Sequence, residues 1–252
     1  MTRTLIGQTS SALICTPLVG ADTAELLLQL RQVLPKQPDV IEWRADFFAA
    51  VANAGAVIDT AGRIRELAGG LPLIFTVRSR IEGGQPIALT DPQVLSLNEA
   101  VCQTRLFDYV DCELRHESAG IERLRQIAHA AGTRLIGSYH NFQQTPPQPA
   151  IVAKLSEAAG KGLDVAKVAV MPQSPEDVLV LLGATLEAKK RLSIPLITMA
   201  MGGYGTVSRM IGGVFGSALT FAVGAQASAP GQIPIEALRL VLNTVEKTAI
   251  PQ

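Results

Sequence analysis

Lys167 sits inside Asp164-Val-Ala-Lys-Val-Ala-Val170, a run that otherwise reads as a fully buried strand. A lysine carried there is either unpaired, ion-paired or chemically used, because burial disfavours an ammonium. A neutral lysine amine attacks carbonyls. The plain alternative is a strand-end lysine that reaches back to water or pairs with a carboxylate. This segment alone leaves both readings open.

His140 follows an apolar strand in Ser138-Tyr-His-Asn-Phe142 and is one of only three histidines. An imidazole titrates near neutrality and suits general acid–base work. His116, between Arg115 and Glu117 in a polar loop, and His129, on a helix, read as surface residues. Other polar side chains also gather at apolar strand ends. Glu42 and Arg44 flank Trp43 at two-residue spacing, so both face one side of a strand. Arg78 closes a third run, Asp111 and Glu113 share a face of a fourth, and Met199 and Met201 share a face at the end of a seventh. Each has a structural explanation, since barrel interiors hold ion pairs between layers. Their convergence on strand ends is the informative part. No second histidine or cysteine stands at metal-ligand spacing, so no metal is expected.

Three loops add anion-binding pieces. Ile81-Glu-Gly-Gly84 reads as a flexible segment carrying one carboxylate, Glu82. Gly202-Gly-Tyr-Gly205 reads as a glycine-rich loop before Ser208-Arg209, and Ala227-Ser-Ala-Pro-Gly-Gln232 offers the hydroxyl of Ser228 and the amide of Gln232. Glycine-rich loops are most often only turns. Arg209 in such a loop could clamp a carboxylate with two parallel hydrogen bonds, a solvated arginine being the usual alternative.

Something must bring these residues together. Short apolar runs recur at very roughly thirty-residue intervals, the size of a βα unit. Strands are predicted near 12–16, 40–44, 73–77, 109–113, 135–138, 165–170, 196–200 and 219–223, with helical patterns between them such as 23–33, 120–131 and 174–190. Eight such units predict a single (β/α)8 TIM barrel over residues 1–252, whose chemistry belongs at the C-terminal ends of the strands. No Gly-x-Gly-x-x-Gly turn follows the first strand, which argues against a dinucleotide fold.

Composition narrows the partners. With 22 basic and 22 acidic residues and no basic stripe, nucleic acid is not expected. No apolar run approaches the roughly 20 residues needed to cross a bilayer, so a membrane is not expected either. Cys15, Cys102 and Cys112 make an odd count, which fits reduced thiols in a cytoplasmic protein.

The quoted motifs, joined by Phe75-Thr-Val-Arg-Ser79, Lys167-Val-Ala-Val-Met-Pro172 and Val214-Phe-Gly-Ser-Ala218, together resemble the type I 3-dehydroquinate dehydratases of the shikimate pathway, in family order over nearly the whole chain. The resemblance implies a homodimeric barrel enzyme that removes water from 3-dehydroquinate without metal or cofactor. It implies an imine on Lys167, general base and acid work by His140, and assistance from Glu82. By motif position Glu42, Arg44 and Arg78 hold ring hydroxyls, Arg209 binds the carboxylate, and Ser228 and Gln232 belong to a loop that closes over the substrate. Asn141 departs from the pattern, where the family commonly has Asp. Losing that charge is expected to tune the imidazole rather than silence it. Two other readings compete: a class I aldolase using the same lysine, and a non-catalytic barrel that binds small acids.

Overall fold

The computed structural model describes residues 4–9, 11–226 and 229–249. Eight parallel strands alternate with eight α-helices among them. In chain order these are β1 (Leu13–Leu18), α1 (Thr23–Val33), β2 (Val40–Arg44), α2 (Ala54–Ala68), β3 (Leu73–Thr76), α3 (Asp91–Thr104), β4 (Tyr109–Glu113), α4 (Ser118–Ala131), β5 (Arg134–Asn141), α5 (Gln148–Gly160), β6 (Val165–Val170), α6 (Pro175–Arg191), β7 (Leu196–Ala200), α7 (Gly202–Ile211), β8 (Leu219–Phe221) and α8 (Ile235–Ala249). Strands pair in the order β7-β6-β5-β4-β3-β2-β1-β8. A parallel bridge between Leu196 and Ser217, and an Ala218 N–H donated to the Leu196 carbonyl at 2.7 Å, bring the two ends of the sheet together. The result is the expected (β/α)8 barrel.

Local chemistry explains the elements. Asp22 caps α1 by accepting the Glu25 N–H, and Asn53 caps α2 through the Ala56 N–H. Helix α6 begins on Pro175 and ends in Lys189, Lys190 and Arg191, which complement its dipole. Strands β2, β4, β6 and β7 end where the apolar runs predicted. Strand β5 runs further, to Asn141, so His140 lies within the strand instead of after it.

Alternate residues of each strand face the helices or the barrel axis. On the outer face Ile41, Trp43, Phe75, Val110 and Val168 join the main core. The buried Trp43 ring meets Phe48 and Phe75 edge-on at 5.5 Å and stacks on Phe107 at 6.2 Å. Truncating such a ring costs about 3–5 kcal/mol.

Inside, the lowest layer is apolar: Leu13, Val40, Ile74, Tyr109, Ile136, Val165, Ile197 and Leu219, with Ile6 packed against it. The Ile6 N–H donates to the Tyr109 hydroxyl at 3.0 Å. Two residues further along the same strands stand Cys15, Glu42, Thr76, Asp111, Ser138, Lys167, Met199 and Phe221. The register pairs Ser138 with Lys167 and His140 with Ala169, so the histidine and lysine occupy neighbouring strands one layer apart.

Candidate active site

Eight of the nine residues singled out from the sequence line one pocket at the C-terminal mouth: Glu42, Arg44, Arg78, Glu82, His140, Lys167, Arg209 and Gln232. Ser228 lies outside the described residues. Phe142, Met199, Met201, Phe221 and Ala229 complete the apolar part of the lining.

Lys167 is buried and ion-paired. Its Nζ donates to Asp111 Oδ2 at 3.1 Å, stands 3.5 Å from Glu42 Oε1, and lies over the Phe221 ring at 5.0 Å. Arg78 is the hub of the carboxylates. It donates to Asp111 Oδ2 at 2.8 Å, to Glu113 Oε1 at 2.9 Å and to Ser138 Oγ at 3.0 Å, and stands 3.6 Å from Glu82. Ser138 donates in turn to Asp111 Oδ1 at 2.6 Å. Burial pushes Asp111 up, but Arg78, Lys167 and the Ser138 hydroxyl outweigh it and bring the carboxyl to about 2. Asp111 is therefore a permanent anion.

Glu82 and His140 form the titrating pair. Glu82 Oε2 lies 2.8 Å from His140 Nδ1 and accepts the His140 main-chain N–H at 3.0 Å. An oxygen that already accepts one N–H also fits an Nδ1–H donor, which leaves Nε2 with the free lone pair. Burial pushes Glu82 up to about 8, assisted by Glu113 and Asp111 and opposed by Arg78. Burial, with Arg78, Lys167 and Arg44 nearby, holds His140 well below its ordinary 6.5. The imidazole is thus neutral at neutral pH and ready to accept a proton.

Arg209 differs from the other arginines of the site. It is 1 % exposed, and its side chain donates to Met199 Sδ at 3.7 Å and to the Pro230 carbonyl at 3.2 Å, while Nε has no hydrogen-bond partner among the described residues. Burial alone lowers it to about 10. A buried guanidinium so weakly satisfied has hydrogen-bond donors to offer an anion. Arg44, by contrast, is already clamped on Asp46 by two 2.8 Å bonds, which leaves it fewer donors for a ligand than its sequence position suggested.

Several local expectations change. Gly202-Gly-Tyr-Gly205 is not a loop but the first turn of α7, and Arg209 lies in the last turn of that helix. The 81–84 segment forms a tight turn at the pocket wall. Gly83 has φ +85°, and a Cβ on Gly84 would collide with the Arg78 carbonyl. His116 is buried, not at the surface, with its Nδ1 unpartnered among the described residues. Asn141 turns away from the imidazole: Oδ1 accepts the N–H groups of Gln143 and Gln144, and Nδ2 donates to the Tyr139 hydroxyl. The residue shapes the β5–α5 loop. Asp46 was the residue with a clear partnering role that sequence reading passed over, and its spacing two residues beyond Arg44 was the available signal.

The chain is similar to known proteins over nearly its whole length. A family model described as type I 3-dehydroquinase matches residues 14–249. The 3-dehydroquinate dehydratase of Geobacillus sp. (strain WCH70) is 52% identical over 234 residues, 93% of this chain and 90% of that protein. The crystal structure of the Geobacillus kaustophilus HTA426 3-dehydroquinate dehydratase superposes with a TM-score of 0.93 at 48% identity, covering 95% of this chain and 93% of that one. That of the Clostridium difficile type I enzyme, solved with covalent modified comenic acid, gives 0.93 at 37% identity, over 98% and 97%. With the family model matched over residues 14–249 and relatives about half identical over nearly the whole chain, the chain belongs to the type I 3-dehydroquinase family.

Proposed function

We propose that this chain converts 3-dehydroquinate to 3-dehydroshikimate through an imine on Lys167, with His140 as general base and then general acid. The observation that carries the reading is a buried lysine one layer below a neutral histidine whose Nδ1 is held by Glu82. Condensation with the ring ketone gives an iminium, whose positive charge acidifies the adjacent C–H. His140 Nε2 takes that proton, and the enamine expels the neighbouring hydroxyl. The imidazolium then protonates the leaving oxygen.

Glu82 fixes the imidazole by accepting at its Nδ1 side. Arg209 binds the substrate carboxylate, and Glu42, Arg44 and Arg78 face the ring hydroxyls. Ser228 and Gln232 belong to the segment that closes over the ligand and keeps water from the imine. A homodimer and a cytoplasmic setting belong to the same reading, supported by family membership and by three free, buried cysteines.

The aldolase reading gains one point, because the glycines after β7 do open a helix, the usual place for a phosphate. Family membership and the unpaired Arg209, suited to a carboxylate, favour the dehydratase. Purified protein with 3-dehydroquinate should raise ultraviolet absorbance as the conjugated enone forms, and borohydride should then add ligand mass to Lys167. Lys167→Ala should lose both signals and stay folded. A label on another lysine, or no absorbance rise, would overturn the proposal.

A further inference from the structure

Asp111 is the closest anion to the reacting nitrogen, and nothing so far gives it a part in the reaction. It sits in the same layer as Lys167, 3 % exposed, and is not among the residues that line the pocket. Glu42, the other carboxylate near Nζ, does line the pocket and is 0.4 Å further away, at 3.5 Å against 3.1 Å. A ligand entering from the mouth meets Glu42 first and leaves Asp111 in place. Arg78 and Ser138 hold Asp111 from its other sides at 2.8 and 2.6 Å.

We infer that Asp111 is the counter-ion of the lysine-bound cation, as ammonium and as iminium, and that Ser138 limits how tightly it holds that cation. The inference rests on the imine reading above. When Nζ bonds to the ketone carbon and the C–O bond breaks, the ketone oxygen leaves as water with two ammonium protons. One proton and the positive charge stay on nitrogen. Nζ must lend one of the two leaving protons to a neighbouring base before it can attack, but the charge Asp111 faces is the same before and after condensation.

Proton abstraction is different. When the C–H proton passes to His140, its electron pair runs to nitrogen and the iminium becomes a neutral enamine. A carboxylate bound too strongly to the cation would oppose this. The Ser138 hydroxyl and the Arg78 guanidinium share its charge, so Asp111 supports the iminium without trapping it there.

The experiment measures the apparent dissociation constant of the borohydride-trappable adduct on Lys167, using 3-dehydroshikimate. A non-covalent analogue with a hydroxyl in place of the ketone gives the comparison. Asp111→Asn keeps shape and an acceptor for Ser138 but removes charge. It should weaken the adduct about 10- to 100-fold, the scale of one charge-assisted hydrogen bond, and change analogue binding far less. Ser138→Ala, which leaves a less satisfied carboxylate, should move the other way. It should tighten the adduct about 2- to 10-fold and slow turnover. Melting curves show whether each variant folds, and Ser138→Ala carries the test if Asp111→Asn does not.

Equal losses for ketone and analogue in Asp111→Asn, or an unchanged adduct in Ser138→Ala, would overturn the inference while leaving the imine intact. A wild-type protein that takes no label on Lys167 would overturn the imine reading and the counter-ion with it.

Discussion

The lower and upper halves of the barrel interior are built by the same strands and are chemically opposite. Along β2 the inward residues run Val40, Glu42, Arg44; along β4 they run Tyr109, Asp111, Glu113; along β5, Ile136, Ser138, His140. One step of two residues takes β2 and β4 from a layer of apolar packing to a charge and β5 to a hydroxyl. The lower layer stabilises by removing apolar surface from water. The upper layer costs desolvation that its ion pairs at best offset, since buried charges are weak evidence for stability. So many charges above an apolar plug are not accounted for by stability, which suits the chemistry proposed for them.

The sharpest way to break that comparison is to remove one upper-half group and one lower-half group and ask what each costs. His140→Ala should reduce turnover by roughly 10²–10⁴-fold, the contribution of a positioned acid–base group, and leave the fold intact. Intact mass after borohydride reduction locates the block: the variant should still trap an adduct but not complete elimination. If no adduct forms at long times, His140 also serves imine formation, and its role must be widened.

Ile136→Ala is the mirror image. It should lower unfolding stability by about 2–5 kcal/mol through lost burial and a residual cavity, with turnover per folded molecule nearly unchanged. Denaturant titration beside steady-state kinetics checks both parts. A large fall in activity at full folding would mean that the apolar layer sets the height of the charged one.

Arg209→Lys sharpens the comparison within the upper half. A lysine keeps the charge but lacks the two-pronged donor geometry, so substrate binding should weaken by on the order of 1–3 kcal/mol. Analogues without a carboxylate should bind poorly to the wild type and be indifferent to the change. Equal losses for acid and carboxylate-free analogue would assign Arg209 to packing between α7 and the Pro230 turn.

The smallest effect concerns Glu82, raised to about 8 from 4.5. Between those values the folded protein holds a proton that the unfolded chain has released. Its contribution is therefore complete below 4.5 and is lost as pH rises through about 8. Glu82→Gln, neutral throughout, should remove that decline. At pH 8.5 it should melt several degrees above the wild type, although it is the less active protein. Melting curves taken from pH 5 to 8.5 decide the matter: parallel curves would mean that Glu82 titrates without burial cost.

Much of this molecule was legible before it was folded. The alternation of apolar runs with 3.6-residue patterns announced eight βα units, and β2, β4, β6, β7 and α1 end where those runs end. Lys167 stood out because one charge interrupts an apolar strand, a signal carried within six residues. His116 was misread because its neighbours Arg115 and Glu117 are polar, whereas burial follows from where the chain turns after β4 and what α3 packs against it.

The sequence by itself determined the barrel, the strand ends that carry the chemistry and the residue types available there, because periodicity and alternation are local properties of the chain. Only the tertiary structure decided which charge meets which. Asp111 finds Arg78 across 33 positions and Lys167 across 56, and Glu82 finds His140 across 58. Those pairings depend on strand register and barrel closure, which no short stretch of sequence contains. The same closure left Arg209 buried on α7 with no carboxylate partner among the described residues, which is why the proposal gives it the incoming acid.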